Sequence, residues 1–292
     1  MYKTSTAQEW LDTSEYPFQS NYLTTDYGKM HYIDEGKGET LLFVHGTPTW
    51  SFLYRNYIKT LSQQYRCIAI DHLGFGLSDK SKNFTGTPQA HASNLTHLIE
   101  HLNLKDVTLV VHDFGGPIGL SYAISKPENI KRIVLFNTWL WETKNDKSAQ
   151  IIDNILHSRL GNFIYLNTNF SSAVLLKKAF HNKKLLSKHV HNHYKNPFPN
   201  KSSRYGLLNI GKSLIGASAW YGELWENADV IKDKPVLILW GKKDDFIKMN
   251  NLEKWKGFFS NEKTNVLDAG HFVQEEDAEK TIAIMTSWLK AH

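Results

Sequence analysis

Four short stretches carry residues whose types and order can do chemistry. The first is Val111-His112-Asp113-Phe114-Gly115-Gly116, where a β-branched apolar run passes abruptly into a helix opened by glycines. A strand that turns sharply into a helix leaves its corner residue exposed above the helix N-terminus, an arrangement usually read from Gly-x-Ser-x-Gly. Here the corner holds Asp113, Val111 and Gly115 take the flanking small-residue positions, and neither Ser nor Cys stands at the apex. A nucleophile at this corner is therefore a carboxylate, and the helix N-terminus favours its anionic form. Carboxylate attack on an ester or amide carbonyl gives an anhydride, a poor route to hydrolysis. Attack on an sp³ carbon bearing a leaving group gives an ordinary ester, which water then cleaves. The plain alternative is an aspartate that merely caps the following helix, and the other three stretches weigh against it.

His45-Gly46-Thr47-Pro48-Thr49-Trp50 follows the apolar run Leu41–Val44. Its glycine turn can present the backbone N–H of Thr47 toward the corner, with the N–H of Phe114 as second donor of an oxyanion hole. Gly241-Lys242-Lys243-Asp244-Asp245 follows the run Pro235–Trp240, and Asp268-Ala269-Gly270-His271-Phe272 follows Asn265–Leu267. His271 is the expected general base, and Asp244 the acid that orients it. Asp244 is preferred to Asp245 because it lies nearer the strand end, and Asp268 precedes the histidine too closely to support it from across a site. Each piece alone is a weak signal, and most of the 14 histidines are expected to face solvent. Nucleophile, acid and histidine in that order, each directly after a strand-like run, are specific.

These corners need a scaffold. Met30–Asp34 and Thr40–His45 read as strands, with Glu35-Gly36-Lys37-Gly38 as the hairpin turn between them. Arg66–Asp71, Val107–Val111 and Lys131–Phe136 are further strands, and residues 52–63 look helical. Pro88–Leu102 is an amphipathic helix with Ala92, Leu95, Leu98 and Ile99 on one face, and Glu276–Ala291 closes the chain as another. Strands alternating with helices predict an α/β protein with a mostly parallel sheet covered on both faces. Between Asn137 and about Asp229 the alternation stops, in a helix-like insert rich in Asn, Lys, His and aromatics and broken at Asn196-Pro197-Phe198-Pro199-Asn200. It is too long for a bare loop. The expected division is a core of 1–137 and 230–292 and a helical cap of 138–229. The cap would lie over the carboxyl ends of the strands, where open α/β sheets bind ligands, excluding water and lining an apolar pocket.

The 292 residues, 41% hydrophobic and 22% charged, have the balance of a soluble globular protein. Thirty-four Lys and Arg against 29 Asp and Glu give a net charge of +5, spread along the chain. The densest basic stretch, Lys177 to Lys188, reads as a solvated helix face rather than a nucleic-acid site. Cys67 is the only cysteine, so no intrachain disulfide is possible, which fits a reducing cytoplasmic compartment. The N-terminal residues lack the apolar core of a secretory signal, and no run reaches the roughly 20 apolar residues of a membrane span. The expected partners are a small apolar organic substrate and water, with no nucleic acid, membrane, metal or cofactor.

The order nucleophile, acid, histidine is that of the α/β-hydrolase triad, and over nearly its whole length the chain resembles that superfamily. Within it, the chain looks like the branch of haloalkane dehalogenases and epoxide hydrolases. His45-Gly46-x-Pro48-Thr49-Trp50-Ser51-Phe52-Leu53-Tyr54-Arg55, Val111-His112-Asp113-x-Gly115-Gly116, Asp268-Ala269-Gly270-His271-Phe272 and Tyr16-Pro17-Phe18 are close to the dehalogenase forms. The resemblance implies an α/β-hydrolase fold with a helical cap and hydrolysis through an alkyl ester on Asp113. It places the acid at Asp244 in some subgroups. In others the acid follows the earlier strand, at a position that is Asn137 here and cannot serve.

Two positions depart from the dehalogenase pattern. Such enzymes grip the leaving halide with a tryptophan directly after the nucleophile, plus an asparagine in the His-Gly-x-Pro loop or a cap tryptophan. Those first two positions hold Phe114 and Thr47, so Trp139, Trp141 or Trp220 would have to compensate. Epoxide hydrolases instead polarise the ring oxygen with two cap tyrosines, for which Tyr221, in Ala219-Trp220-Tyr221, and Tyr165 are the candidates. The leading expectation is a dehalogenase-like hydrolase with Trp139, Tyr165, Trp220 and Tyr221 lining the pocket. An epoxide hydrolase is the alternative; a lactone-acting relative, a carbonyl esterase and a non-catalytic binding protein follow.

Overall fold

The structure, a computed structural model, describes residues 9–292. Eight strands form one sheet: β1 Asn21–Thr25, β2 Gly28–Glu35, β3 Thr40–Val44, β4 Arg66–Ile70, β5 Val107–Val111, β6 Ile130–Phe136, β7 Val236–Gly241 and β8 Glu262–Leu267. Their order across the sheet is β1-β2-β4-β3-β5-β6-β7-β8. The β1–β2 and β2–β4 pairings are antiparallel and all others parallel. This is the α/β-hydrolase architecture, as expected.

The expected hairpin between the second and third strands is not there. β4 lies between β2 and β3, pairing antiparallel with the first through Tyr32 and Ile70 and parallel with the second through Leu42 and Ile68. Every residue of β3 is buried, and a strand buried on both faces belongs in the middle of a sheet with a neighbour on each side. The Gly36–Gly38 loop therefore crosses over the start of β4, Gly36 lying at φ +83° with no room for a Cβ beside the carbonyls of Ser62 and Tyr65. The true hairpin joins β1 to β2. It escaped the pattern because β1, Asn-Tyr-Leu-Thr-Thr, buries only Leu23.

Alternate residues of the central strands feed two apolar layers. Leu42, Val44, Ile68, Ile70, Leu109, Val111, Ile133 and Leu135 pack on one face, with α2 (Pro88–His101) and α3 (Gly115–Ser125). Leu41, Phe43, Cys67, Ala69, Val110, Val134, Phe136, Leu237 and Leu239 pack on the other. There they meet α1 (Arg55–Leu61), which is preceded by a 3-10 turn, Ser51–Tyr54.

Between β6 and β7 run the helices α4 Lys147–His157, α5 Arg159–Asn167, α6 Leu176–Ala179, α7 Lys188–Lys195, α8 Tyr205–Gly216 and α9 Ser218–Glu226. Leu156, Tyr165, Leu207, Leu208 and Tyr221 from this segment join the first apolar layer. The stretch Lys177–Lys188 is exposed at its lysines, but most of it is irregular chain between α6 and α7 rather than a helix face. After β7 come α10 Met249–Lys256, α11 Val273–Glu276 and α12 Ala278–Ala291. The closing helix is thus interrupted at Asp277, whose backbone leaves the helical region (φ −144°, ψ 44°).

The histidines also depart from expectation. His31, His45, His72, His91, His112, His193 and His271 are buried. Their flat rings pack against other rings in the core, as His72 does between His45 and His91 at centroid distances of 4.4 and 4.7 Å, tilted by 50° to each.

Candidate active site

Asp113 sits at the β5–α3 corner with φ +54°, a left-handed conformation that costs a non-glycine residue about 1–3 kcal/mol and persists only where its surroundings enforce it. Its N–H donates to Asn137 O at 3.0 Å, its carbonyl accepts from Gly116 N–H at 2.9 Å, and Thr138 Oγ1 donates to that same carbonyl at 2.6 Å. The small residues around it are required by contact. A Cβ at Gly46 would collide with the Asp113 carboxylate, and one at Gly116 with the Thr138 hydroxyl.

His271 follows β8 and is held from both sides of its backbone. Its N–H donates to Ala179 O at 3.0 Å and its carbonyl accepts from His112 Nε2 at 2.9 Å. His271 Nδ1 meets Asp244 Oδ2 at 2.7 Å, and Nε2 lies 3.6 Å from Asp113 Oδ2, too long for a hydrogen bond. Asp244 Oδ1 accepts from the N–H groups of Phe246 and Ile247 at 2.7 and 3.0 Å. All three side chains are buried. Asp245 is exposed, and Asp268 is exposed in an ion pair with Lys242, so neither competes with Asp244.

The charges follow from this packing. Burial alone would pull the His271 pKa down, but Asp244 and Asp113 on its two sides raise it to about 10. Burial pushes Asp113 up, yet His271, His112 and the Phe114 N–H together hold it below the usual carboxylate value. His112 is pulled down to about 3, chiefly by burial, so its ring is neutral and its Nε2–H is the donor to His271 O. Thr47 N–H donates to Asp113 Oδ1 at 2.8 Å, where an oxyanion donor was expected.

A family model for the α/β hydrolase fold matches residues 39–278. Haloalkane dehalogenase 2 of Mycobacterium bovis is 31% identical over 275 residues, which cover 93% of this chain and 95% of that protein. The chain belongs to the haloalkane dehalogenase-like branch of the α/β-hydrolase family. A cis-3-alkyl-4-alkyloxetan-2-one decarboxylase of Shewanella oneidensis is also 31% identical, over 276 residues covering 91% and 86% of the two chains. The haloalkane dehalogenase DatA from Agrobacterium tumefaciens C58 shares the fold at TM-score 0.83 and 24% identity, covering 94% of this chain and 96% of that one.

In this dehalogenase-like hydrolase the expected pocket residues divide. Phe114 is buried with its ring edge-on to Trp139 at 4.9 Å, and Trp139 in turn meets Tyr221 at 5.7 Å. Tyr165 and Tyr221 are buried, and burial is the main cause that raises both hydroxyl pKa values, with the Asp113 charge adding to it. Their hydroxyls are committed, Tyr165 to Leu207 O at 3.2 Å and Tyr221 to Ser213 O at 3.0 Å. Trp220 is half-buried, touching the Tyr221 ring but neither Phe114 nor His271. Trp141 packs instead with Trp225, Trp255 and the Lys254 ammonium.

The bracing roles of three residues around the site went unread in the sequence, where Asn137 was weighed only as an acid and His112 only as part of a motif. Thr138 and His112 brace the backbones of Asp113 and His271, and Asn137 ties the end of β6 to the loop that carries Asp244. Thr138 could have been found, since with Asn137 it directly follows the β6 run. Among the described residues no cluster of three or more His, Cys, Asp or Glu side chains could hold a metal ion, and no helix is long and apolar enough to cross a membrane.

Proposed function

We propose that this hydrolase displaces halide from an sp³ carbon through an alkyl ester on Asp113, which His271-activated water then cleaves. The observation that carries the reading is an anionic aspartate, in place of serine, at the strand-to-helix corner, facing a histidine anchored by Asp244. Asp113 Oδ2, free of the Thr47 N–H, attacks carbon as the carbon–halogen bond breaks and its electron pair leaves with halide. Water then adds to the ester carbonyl carbon, giving its proton to His271 Nε2. The Thr47 and Phe114 N–H groups receive the oxyanion. Collapse restores the carboxylate and releases the alcohol, protonated by His271.

The two steps are coupled through charge. In the resting site two carboxylates hold the imidazole in its protonated form. Esterification neutralises one of them, so the His271 pKa falls and the ring becomes a base when one is needed. Residues 138–229 act as the cap, with Trp139, Tyr165 and Tyr221 as walls that keep bulk water from the ester. A cytoplasmic setting fits the single buried Cys67.

A strained-lactone reading draws support from the Shewanella oneidensis decarboxylase, since opening an oxetanone at its sp³ carbon is the same displacement with a carboxylate leaving. The epoxide reading is weaker, because Tyr165 and Tyr221 would have to surrender their carbonyl partners to polarise a ring oxygen. Purified enzyme offered haloalkanes, epoxides and oxetanones, with halide, diol and carbon dioxide assayed, tests the choice. Halide release supports the proposal. Diol formation that depends on Tyr221, or carbon dioxide release, without halide overturns it.

A further inference from the structure

Two neighbouring carboxylates on α11, Glu275 and Glu276, hold different parts of the chain. Glu275 binds the Arg55 guanidinium of α1 and the Tyr194 hydroxyl of α7. Glu276 turns to backbone instead. Its Oε1 accepts from Gly270 N–H at 2.8 Å and His181 N–H at 3.1 Å, and its Oε2 accepts from Asn182 N–H at 2.8 Å. Gly270 directly precedes His271, whereas His181 and Asn182 belong to the cap chain that leaves α6. The same seam is closed by His271 N–H, which donates at 3.0 Å to the carbonyl of Ala179, the last residue of α6. The approach is so close that a Cβ at Gly270 would collide with Ala179 O, His181 N and Glu276 Oε1. One side chain thus ties the loop that carries His271 to the cap beside it.

We propose that Glu276 is a positioning residue for ester hydrolysis, joining cap residues 181–182 to Gly270 so that His271 Nε2 is held where it takes the proton of the attacking water. This rests on the covalent reading above and assigns a role in its second step only. Alkylation needs Asp113, whose backbone is set by Asn137, Thr138 and Gly116. None of those contacts passes through Glu276. Hydrolysis needs a well-placed histidine, since a misplacement of about 1 Å costs up to about a hundredfold in rate. The His271 carbonyl is fixed by His112 and its Nδ1 by Asp244, and the chain entering the residue is fixed at Gly270 by Glu276. Bonds from N–H to a carboxylate are roughly twice as strong as neutral ones. The arrangement also needs an acceptor at both oxygens. An amide in its place would turn an NH2 group toward Asn182 N–H or toward the Gly270 and His181 pair.

The test follows a bromoalkane through both steps in Glu276→Gln. The ester on Asp113, watched by rapid-quench intact mass, is expected to decay about tenfold more slowly than in wild type. Slowed hydrolysis lowers kcat and KM together, so kcat/KM should stay within about twofold of wild type. Amide hydrogen exchange at Gly270, His181 and Asn182 should quicken in the same variant. Glu276→Asp keeps the charge but retracts it by one methylene. It should show the same split at smaller size, and it carries the comparison if the glutamine chain is unstable. Glu275→Gln, which weakens the hold on Arg55, should lower the thermal midpoint without trapping ester. An unchanged rate of ester decay, a parallel loss of kcat and kcat/KM, or equal trapping in Glu275→Gln overturns the positioning role. In those cases His271→Ala still forms the adduct and the covalent reading stands. No adduct in His271→Ala from any haloalkane removes both together.

Discussion

Asn137 grips Gly241 by both its backbone N–H and its backbone carbonyl. Its Oδ1 accepts from Gly241 N–H at 2.8 Å and its Nδ2 donates to Gly241 O at 3.1 Å. Where a carboxylate would serve as acid in related enzymes, this chain has an amide that fixes the end of β7 instead. The loop leaving Gly241 carries Asp244, so Asn137, which cannot be the acid, positions the residue proposed for that role.

Asp244→Asn is therefore expected to lower turnover by orders of magnitude, because an amide offers His271 no charge and permits the wrong tautomer. Asp245→Asn, on the exposed neighbour, should stay near wild type. Asn137→Ala should fall between them, acting through loop position. Steady-state kinetics on the three variants decide this. Equal losses at Asp244 and Asp245 would remove Asp244 from the assignment.

His271→Ala should leave the first step running and stop the second. Incubated with a bromoalkane that wild type turns over, it is expected to reach one alkyl group per chain, located on Asp113 by peptide mapping. An unmodified Asp113 after long incubation would sink the covalent scheme.

The pH response should differ between the steps. Asp113 is ionised from below its ordinary value of 3.8 upward, so alkylation should be flat between about pH 5 and 9. Ester hydrolysis needs neutral His271, whose pKa drops from about 10 once the Asp113 charge is gone. The hydrolysis rate should rise with pH through that lowered value. Alkyl-enzyme should accumulate at pH 6 and be sparse at pH 9 in rapid-quench mass spectrometry, and equal occupancy at both would contradict the coupling.

How much of this was legible in the sequence depended on what each residue's neighbours in the chain reveal. The proposed trio was legible from order rather than from any single run: Asp113, Asp244 and His271 each come shortly after a strand, β5, β7 and β8, although β8 buries only Leu267. The placement of β4 between β2 and β3 was not, since a glycine turn between two apolar runs has the same local pattern whether or not they pair. The tyrosines could be counted but not assigned. Whether Tyr221 is free or bonded to Ser213 O depends on a helix turn that no spacing discloses. The buried histidines were missed for a similar reason, as a ring packed against Phe or His leaves no periodic mark.

Those histidines carry a stability consequence. His91 is fully buried between His72, Phe75 and Phe84 and has no partner on either nitrogen. Burial and the neighbouring His45 pull its pKa from 6.5 to about 3. Between those values the unfolded chain binds a proton that the folded chain does not. Stability is thus full above about pH 6.5 and declines toward pH 3, by up to about 1.4 kcal/mol per pH unit for each such group. His112, also lowered to about 3, adds to the same slope. His91→Leu should flatten the fall in thermal midpoint between pH 6.5 and 4.5 while changing it little at pH 7.5. An unaltered slope would mean that His91 is protonated in the fold.

The last expectation concerns the edge-on pair Phe114 and Trp139. Phe114 is almost fully buried, its ring 4.9 Å from the indole and inclined by 79°. Phe114→Trp alone adds an N–H beside the nucleophile, but it also forces a larger ring against Trp139, and overpacking costs about 1–3 kcal/mol. Its gain in bromoalkane turnover should therefore be modest. Exchanging the two residues, Phe114→Trp with Trp139→Phe, keeps the summed volume and retains the added N–H. Residues in contact are not additive. The exchange should accordingly recover the stability lost in Phe114→Trp and alkylate at least as fast. Thermal unfolding and adduct formation in the His271→Ala background read the two quantities. If the exchanged enzyme is no more stable than Phe114→Trp, the larger ring does not overpack this contact.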